Sequence, residues 1–436
     1  MKRKILSLLL VICMVATLFP TVFGATESKV AGVRLAKSYS KNSAGTDVAD
    51  LLKLASTEGG TPAYAITTEE GLITKTGATA ENYNLKFEYP TGGTPTLYLR
   101  NAKIINTLSY GITPDYDRGL FDLKIVVESD SSITAAKGCV YTKGGDLTIT
   151  GPGKLSLETT DVHSVLAVLK TNDVDRYDLY ITDANLELLC NGVSSGLLIA
   201  ELGDMYLENS TIKGANKNGI AIKTHNGNIS ATNCTLDIEA TWSGFEVNNG
   251  GFTLINCTVN VISGFKAIYA DKDVLIKNCD AFLEGDHFEH PAIDVRGEFV
   301  IDNSTLELYA LDMPVFSEAT TPTFVGYYRA IGGRDQDSTS RYDEEFYNVY
   351  QYIKIVPADT PEESTEEATE ETNEESTAGT NQTSSNQPTQ KPSTNPVGTD
   401  VSADNGTLLW IVAIVVLLGV FAAAAVIIIK KSKAAE

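Results

Sequence analysis

Eight polar or aromatic side chains hold the chemistry open to this sequence: Lys223, Trp242, Glu246, Asn248, Tyr269, Asp271, Asp294 and Arg296. Most fall in four short segments, IAIK from Ile220, FEVN from Phe245, IYAD from Ile268 and IDVR from Ile293. First and third positions there are apolar or small, so second and fourth share the opposite side of a strand. Laid over one another, the segments give one outward column of Ala221, Glu246, Tyr269 and Asp294. A second column holds Lys223, Asn248, Asp271 and Arg296. Such a strip suits a linear polysaccharide. Tyr269 and Trp242 would stack on sugar faces, and the polar columns would bond hydroxyls along the axis on which the polymer repeats.

Two other readings use the same residues. Glu246, Asp271 and Asp294 could hold Ca²⁺, which takes several carboxylate oxygens. Arg296 or Lys223, with a depressed pKa, could then remove a carbon-bound proton from a uronate, which is lyase chemistry. The plainest reading is a solvated strand face whose charges pair between strands, Asp271 with Arg296 and Glu246 with Lys223. Each such pair is worth roughly 0.2–1 kcal/mol. The segments EATWSG and EGDHFEHP precede two of the strands and would wall one side, with Trp242, His287, Glu289 and His290. Histidines at i and i+3 suit a transition metal, but a third ligand is missing from the pattern. His163 and His225 stand alone and read as surface residues.

These segments must be positioned by something repetitive, and residues 97–308 supply it. One phrase returns there: an alternating apolar pair, an Asn or Asp, a small residue, and a second alternating run. The clearest copies are MYLENSTIKG from Met205, ISATNCTLDI from Ile229, FTLINCTVNV from Phe252, VLIKNCDAFL from Val274 and FVIDNSTLEL from Phe299. Weaker copies start at Leu97, Leu123, Leu147 and Leu179. The nine starts are 22 to 32 residues apart. Period-two alternation means strands, and one unit cannot bury its apolar face alone, so the units must stack. Three strands per unit give the coil of a parallel β-helix. The Asn marks a bend, where that residue tolerates left-handed backbone.

The Asn209, Asn233, Asn256, Asn278 and Asn303 series resembles the asparagine ladder of right-handed parallel β-helices of the pectate-lyase-like superfamily. LTITGPGKLSL from Leu147 resembles Firmicutes surface proteins with carbohydrate-binding β-helix domains. The resemblance implies an all-β, right-handed parallel β-helix of about nine coils. It also implies a ligand groove on the outer face of the strand before each repeat start, and pectate-lyase-like logic for any Ca²⁺-dependent activity. No catalytic motif of that superfamily matches here residue by residue.

The remaining chain is read around this core. Lys2, Arg3 and Lys4 before an apolar run make residues 1–24 a secretory signal. Residues 25–96 would cap the N-terminal end, with a short helix over TDVADLLKLAS and strands at TPAYAIT and YNLKFEY. GITPDYDR and TNDVDRYD would be loops. Residues 309–357, rich in Tyr, would cap the other end or offer an aromatic platform. Residues 358–406 carry eleven acids and one base, so they read as a disordered, self-repelling tether. Residues 407–429 lack charge and are long enough to span a bilayer. Lys430, Lys431 and Lys433 then place residues 430–436 in the cytoplasm and the rest outside a cell membrane.

Net charge is −22, of which −17 falls on residues 25–357. That argues against nucleic acid and other polyanions as partners. Cys234, Cys257 and Cys279 follow the ladder Asn in successive copies, facing inward by parity. They read as small buried side chains, with a disulfide between coils as the alternative. Sequons at Asn209, Asn233, Asn256 and Asn303 should be masked by burial in the stack. The functional expectation is non-catalytic polysaccharide binding at the cell surface, against a polysaccharide lyase or an adhesive rod.

Overall fold

Alternating apolar positions fold as strands only if every turn of chain lends its edge to the next. The computed structural model shows this over residues 30–37, 51–115, 120–161, 163–192, 196–337, 339–341 and 349–358. All of these lie within one unit, Met1–Ser364. The signal, tether, membrane span and tail expected at 1–24, 358–406, 407–429 and 430–436 fall outside the described residues, apart from Ala358. No helix among the described residues is long and apolar enough to cross a membrane.

Three sheets of ten, twelve and thirteen strands wrap around one core. Each is mostly parallel, because each coil contributes one strand to every sheet. The result is a parallel β-solenoid of right-handed type with about nine coils. Inward columns carry the apolar side chains: Ile222, Phe245, Ile268 and Ile293 in the ten-stranded sheet. Met205, Ile229, Phe252, Val274 and Phe299 do so in the thirteen-stranded one. Phe245 and Phe252 meet across the core with centroids 4.6 Å apart. Burying each such side chain contributes about 1.5–3 kcal/mol.

The bends obey a local rule. Asn101, Asp183, Asn209, Asn233, Asn256, Asn278 and Asn303 all adopt positive φ, between 45° and 54°. Five amides then link in file through four hydrogen bonds: Asn233 donates to Asn209 at 3.0 Å, Asn256 to Asn233 at 3.1 Å, Asn278 to Asn256 at 3.1 Å, and Asn303 to Asn278 at 2.8 Å. The ladder stands on the outside, with these Asn side chains exposed, which corrects the expectation that they are buried. A left-handed residue turns its own side chain out and the next one in.

That next residue is Ser210, Cys234, Cys257, Cys279 or Ser304, all buried. Its side chain accepts the N–H that the bend releases one coil earlier. Cys234 N donates to Cys257 Sγ at 3.5 Å, Cys257 N to Cys279 Sγ at 3.4 Å, and Cys279 N to Ser304 Oγ at 3.0 Å. These three cysteines are free thiols, standing in for serine, and no disulfide joins the coils among the described residues. The hydrogen bond with Cys257, and then burial, push the Cys234 and Cys279 thiols up.

Two expectations for the early chain fail. Leu51–Ala55 is a strand, not part of a helix, and pairs in parallel with Gly32–Ala36. The open edge of that strand offers unpaired N–H and C=O groups, and pairing them outweighs the weak helical spacing of Leu51, Leu52 and Leu54. Tyr110–Pro114, expected as a loop, is a strand between Gly32–Ala36 and Gly138–Lys143. Gly111 makes this fit, because a Cβ there would lie 2.4 Å from Ile133 Cγ2 and 2.7 Å from the Cys139 carbonyl. TPAYAIT and YNLKFEY do form strands, Ala63–Thr67 and Leu85–Glu88, which run antiparallel to each other. Antiparallel strands also end the other side, where Tyr352–Pro357 lies between Thr305–Ala310 and Tyr328–Gly333.

Candidate functional site

The outward face of the ten-stranded sheet carries the candidate residues. Register places Ile199, Lys223, Glu246, Tyr269 and Asp294 directly over one another. Lys223 thus belongs to the column of Glu246, two residues from where the sequence alignment set it. Ala221 leaves the column altogether, being fully buried. The cause is the apolar Ile220, which imitates a strand start. The true phase is marked by a small residue before the inward one: Ala221–Ile222, Gly244–Phe245, Ala267–Ile268 and Ala292–Ile293. Asn248, Asp271 and Arg296 each follow their strand by one residue and form the second column as expected.

The charges are paired between coils. Lys223 Nζ lies 2.5 Å from Glu246 Oε1, and Arg296 Nη1 lies 3.0 Å from Asp271 Oδ1. Asn248 Nδ2 donates to Glu246 Oε1 at 3.0 Å. Tyr269 donates its phenol proton to Asp271 Oδ1 at 2.6 Å, and Asn249 N–H donates to Asp271 Oδ2 at 3.0 Å. Burial raises the Asp271 carboxyl, but these two donors and the Arg296 charge together hold it below its ordinary range. Burial, with Asp271 beside it, pushes the Tyr269 phenol up to about 12. Asp294 is taken by a residue absent from the sequence expectation: Lys266, 9% exposed, with Nζ 2.5 Å from Asp294 Oδ2. The Lys266 ammonium also lies 4.8 Å from the Tyr269 ring centre.

A wall runs beside these columns. Trp242 is 60% exposed, and its backbone N–H donates to the Gly219 carbonyl at 3.1 Å. One coil on stands Phe265, and one further His287 and His290, whose rings lie 4.9 Å and 4.3 Å from that of Phe265. Burial, then the Lys266 charge, holds the His290 imidazole below its usual range. Glu289 N–H donates to His287 Nδ1 at 3.1 Å. Between the wall and the strands lies a hollow of about 270 Å³, bounded by Gly196, Ile199, Asn218, Gly219, Ile220, Lys223, His225 and Trp242. His225 keeps one side open to water, yet the atoms packed around its ring, and then Lys223, hold its pKa below the usual range.

Sequence reasoning missed Ile199, Asn218, His225, Phe265 and Lys266. The one signal for Lys266 was a lone cation between Phe265 and the apolar run Ala267–Ile268. No group of three His, Cys, Asp or Glu side chains among the described residues could hold a metal ion. Glu246, Asp271 and Asp294 instead each sit against a cation. No protein-family model, curated protein or solved structure matches this chain.

Proposed function

We propose that this protein binds a linear polysaccharide at the cell surface without cleaving it. The carrying observation is Trp242, whose exposed indole stands over a hollow large enough for one sugar ring, at the head of a polar strip that repeats coil by coil. Exposed aromatic rings at a protein surface favour the flat apolar face of a sugar, while ion pairs and amides beside them bond its hydroxyls. Secretion, an acidic tether and a membrane span belong to the same proposal, as does closure of the two solenoid ends by their antiparallel strands.

The test is retention of the full-length protein, solubilised in detergent, on immobilised polysaccharides, alongside Trp242→Ala. Loss of a sugar-stacking indole should weaken retention at least about tenfold, equivalent to ~1.4 kcal/mol. Release of unsaturated products, seen as rising ultraviolet absorbance in the presence of Ca²⁺, would identify a lyase instead. Equal behaviour of Trp242→Ala and the parent, with no retention by either, would leave an adhesive or structural rod.

A further inference from the structure

The polysaccharide groove has a charge pattern that bears on which polymer it accepts. Three cations of the strip are each already neutralised: Lys223 by Glu246 at 2.5 Å, Lys266 by Asp294 at 2.5 Å and Arg296 by Asp271 at 3.0 Å. The two inner pairs are well shielded, with side chains 17% and 20% exposed for Lys223 and Glu246, and 11% and 17% for Lys266 and Asp294. Lys272, at the turn beyond Asp271, is flanked in the chain by Asp271 and Asp273.

From this we infer that the groove selects uncharged glycans and turns away polymers bearing carboxylate or phosphate. The inference rests on the polysaccharide-binding reading. An incoming uronate could reach Lys223 or Lys266 only by displacing Glu246 or Asp294, leaving a shielded carboxylate without its cation. It would do so against the −17 carried by residues 25–357. A neutral sugar meets no such conflict. A shielded ion pair offers an acceptor and donors side by side, the complement of two vicinal hydroxyls. The Asn248 amide and the Tyr269 phenol, both neutral groups, extend the same uncharged bonding along the strip.

The probes are laminarin and glucomannan as neutral chains, and polygalacturonate and alginate as charged ones. Binding to full-length protein is measured at roughly 20 mM and about 0.5 M salt, which bracket weak and strong screening. A neutral chain should bind with little salt dependence, Trp242→Ala should weaken it, and the uronates should not be retained at either salt. Glu246→Gln frees Lys223 and should raise polygalacturonate affinity about tenfold at low salt, the size of one charge-assisted hydrogen bond. High salt should remove that gain. Asp294→Asn repeats the test at Lys266, and circular dichroism confirms that either variant is folded. Salt-sensitive retention of a uronate by the parent protein, tighter than any neutral chain, overturns the selectivity. So does a folded pair of variants that gain nothing. No retention of any probe, unchanged by Trp242→Ala, overturns the underlying groove.

Discussion

Asp271 shows how one side chain can be held by two others and a backbone N–H, and what that does to stability. Its carboxylate faces the Tyr269 hydroxyl, the Asn249 N–H and Arg296, and its pKa lies below the ordinary value near 4. A depressed carboxylate pKa means that the unfolded chain binds the proton more readily, so stability rises with pH through that window. The contribution is fully present above the unfolded pKa and fades as pH falls through the folded one. Asp271→Asn should therefore lower the melting temperature at pH 7, and the gap to the parent should narrow as the pH falls below the ordinary carboxylate value near 4. A constant difference across that range would show that the carboxylate charge does no work. Asp271 and Arg296 were legible as a pair from strand alternation alone. Lys266 was not, because pattern reading assigns long cations to solvent, whereas here Asp294 and the ring of Tyr269 hold the ammonium in a shielded position.

At the scale of the element, the bend is the unit that fixes register. Asn256 has φ 54°, and its amide accepts from Asn278 while donating to Asn233. Alanine at this position would lose both bonds and resist the left-handed conformation, whose cost for residues with a Cβ is about 1–2 kcal/mol. Glycine would lose the same bonds but adopt the bend freely, at an entropic cost of about 0.5–1 kcal/mol. Asn256→Ala should thus be the more destabilised of the two in urea unfolding. The reverse order would mean that the left-handed backbone at the bend does not restrict the residue that occupies it. The recurring Asn made stacking legible before any coordinates, because only a bend occupied in every coil explains such spacing. Its outward direction was not legible, since sequence shows the period but not which side of the bend faces the core. The two-residue error at Ile220 has a similar root: alternation gives the parity of a strand, not the point where pairing starts.

For the molecule as a whole, stacking implies that each coil depends on its neighbours and little else. Removing one complete coil should therefore leave a shorter but intact solenoid. Excision of residues 123–146 would set Leu147 on the strand Thr96–Leu99, and Asp122 would take the place of Asp146 as acceptor for the Asp178 N–H. Excision of residues 229–251 would set Phe252 on Met205 and remove Trp242 and Glu246 together. Both variants should keep a β-type circular dichroism spectrum, with a urea m-value lowered in proportion to the surface removed. Polysaccharide retention separates them, because the first deletion leaves the hollow beside Ile199 and Lys223 intact, whereas the second removes Trp242 from its edge and brings the smaller, less exposed Phe265 into that place. The first should bind like the parent and the second should not. If both folded variants bind, or neither does, recognition lies elsewhere on the solenoid than along the strip from Trp242 to Arg296.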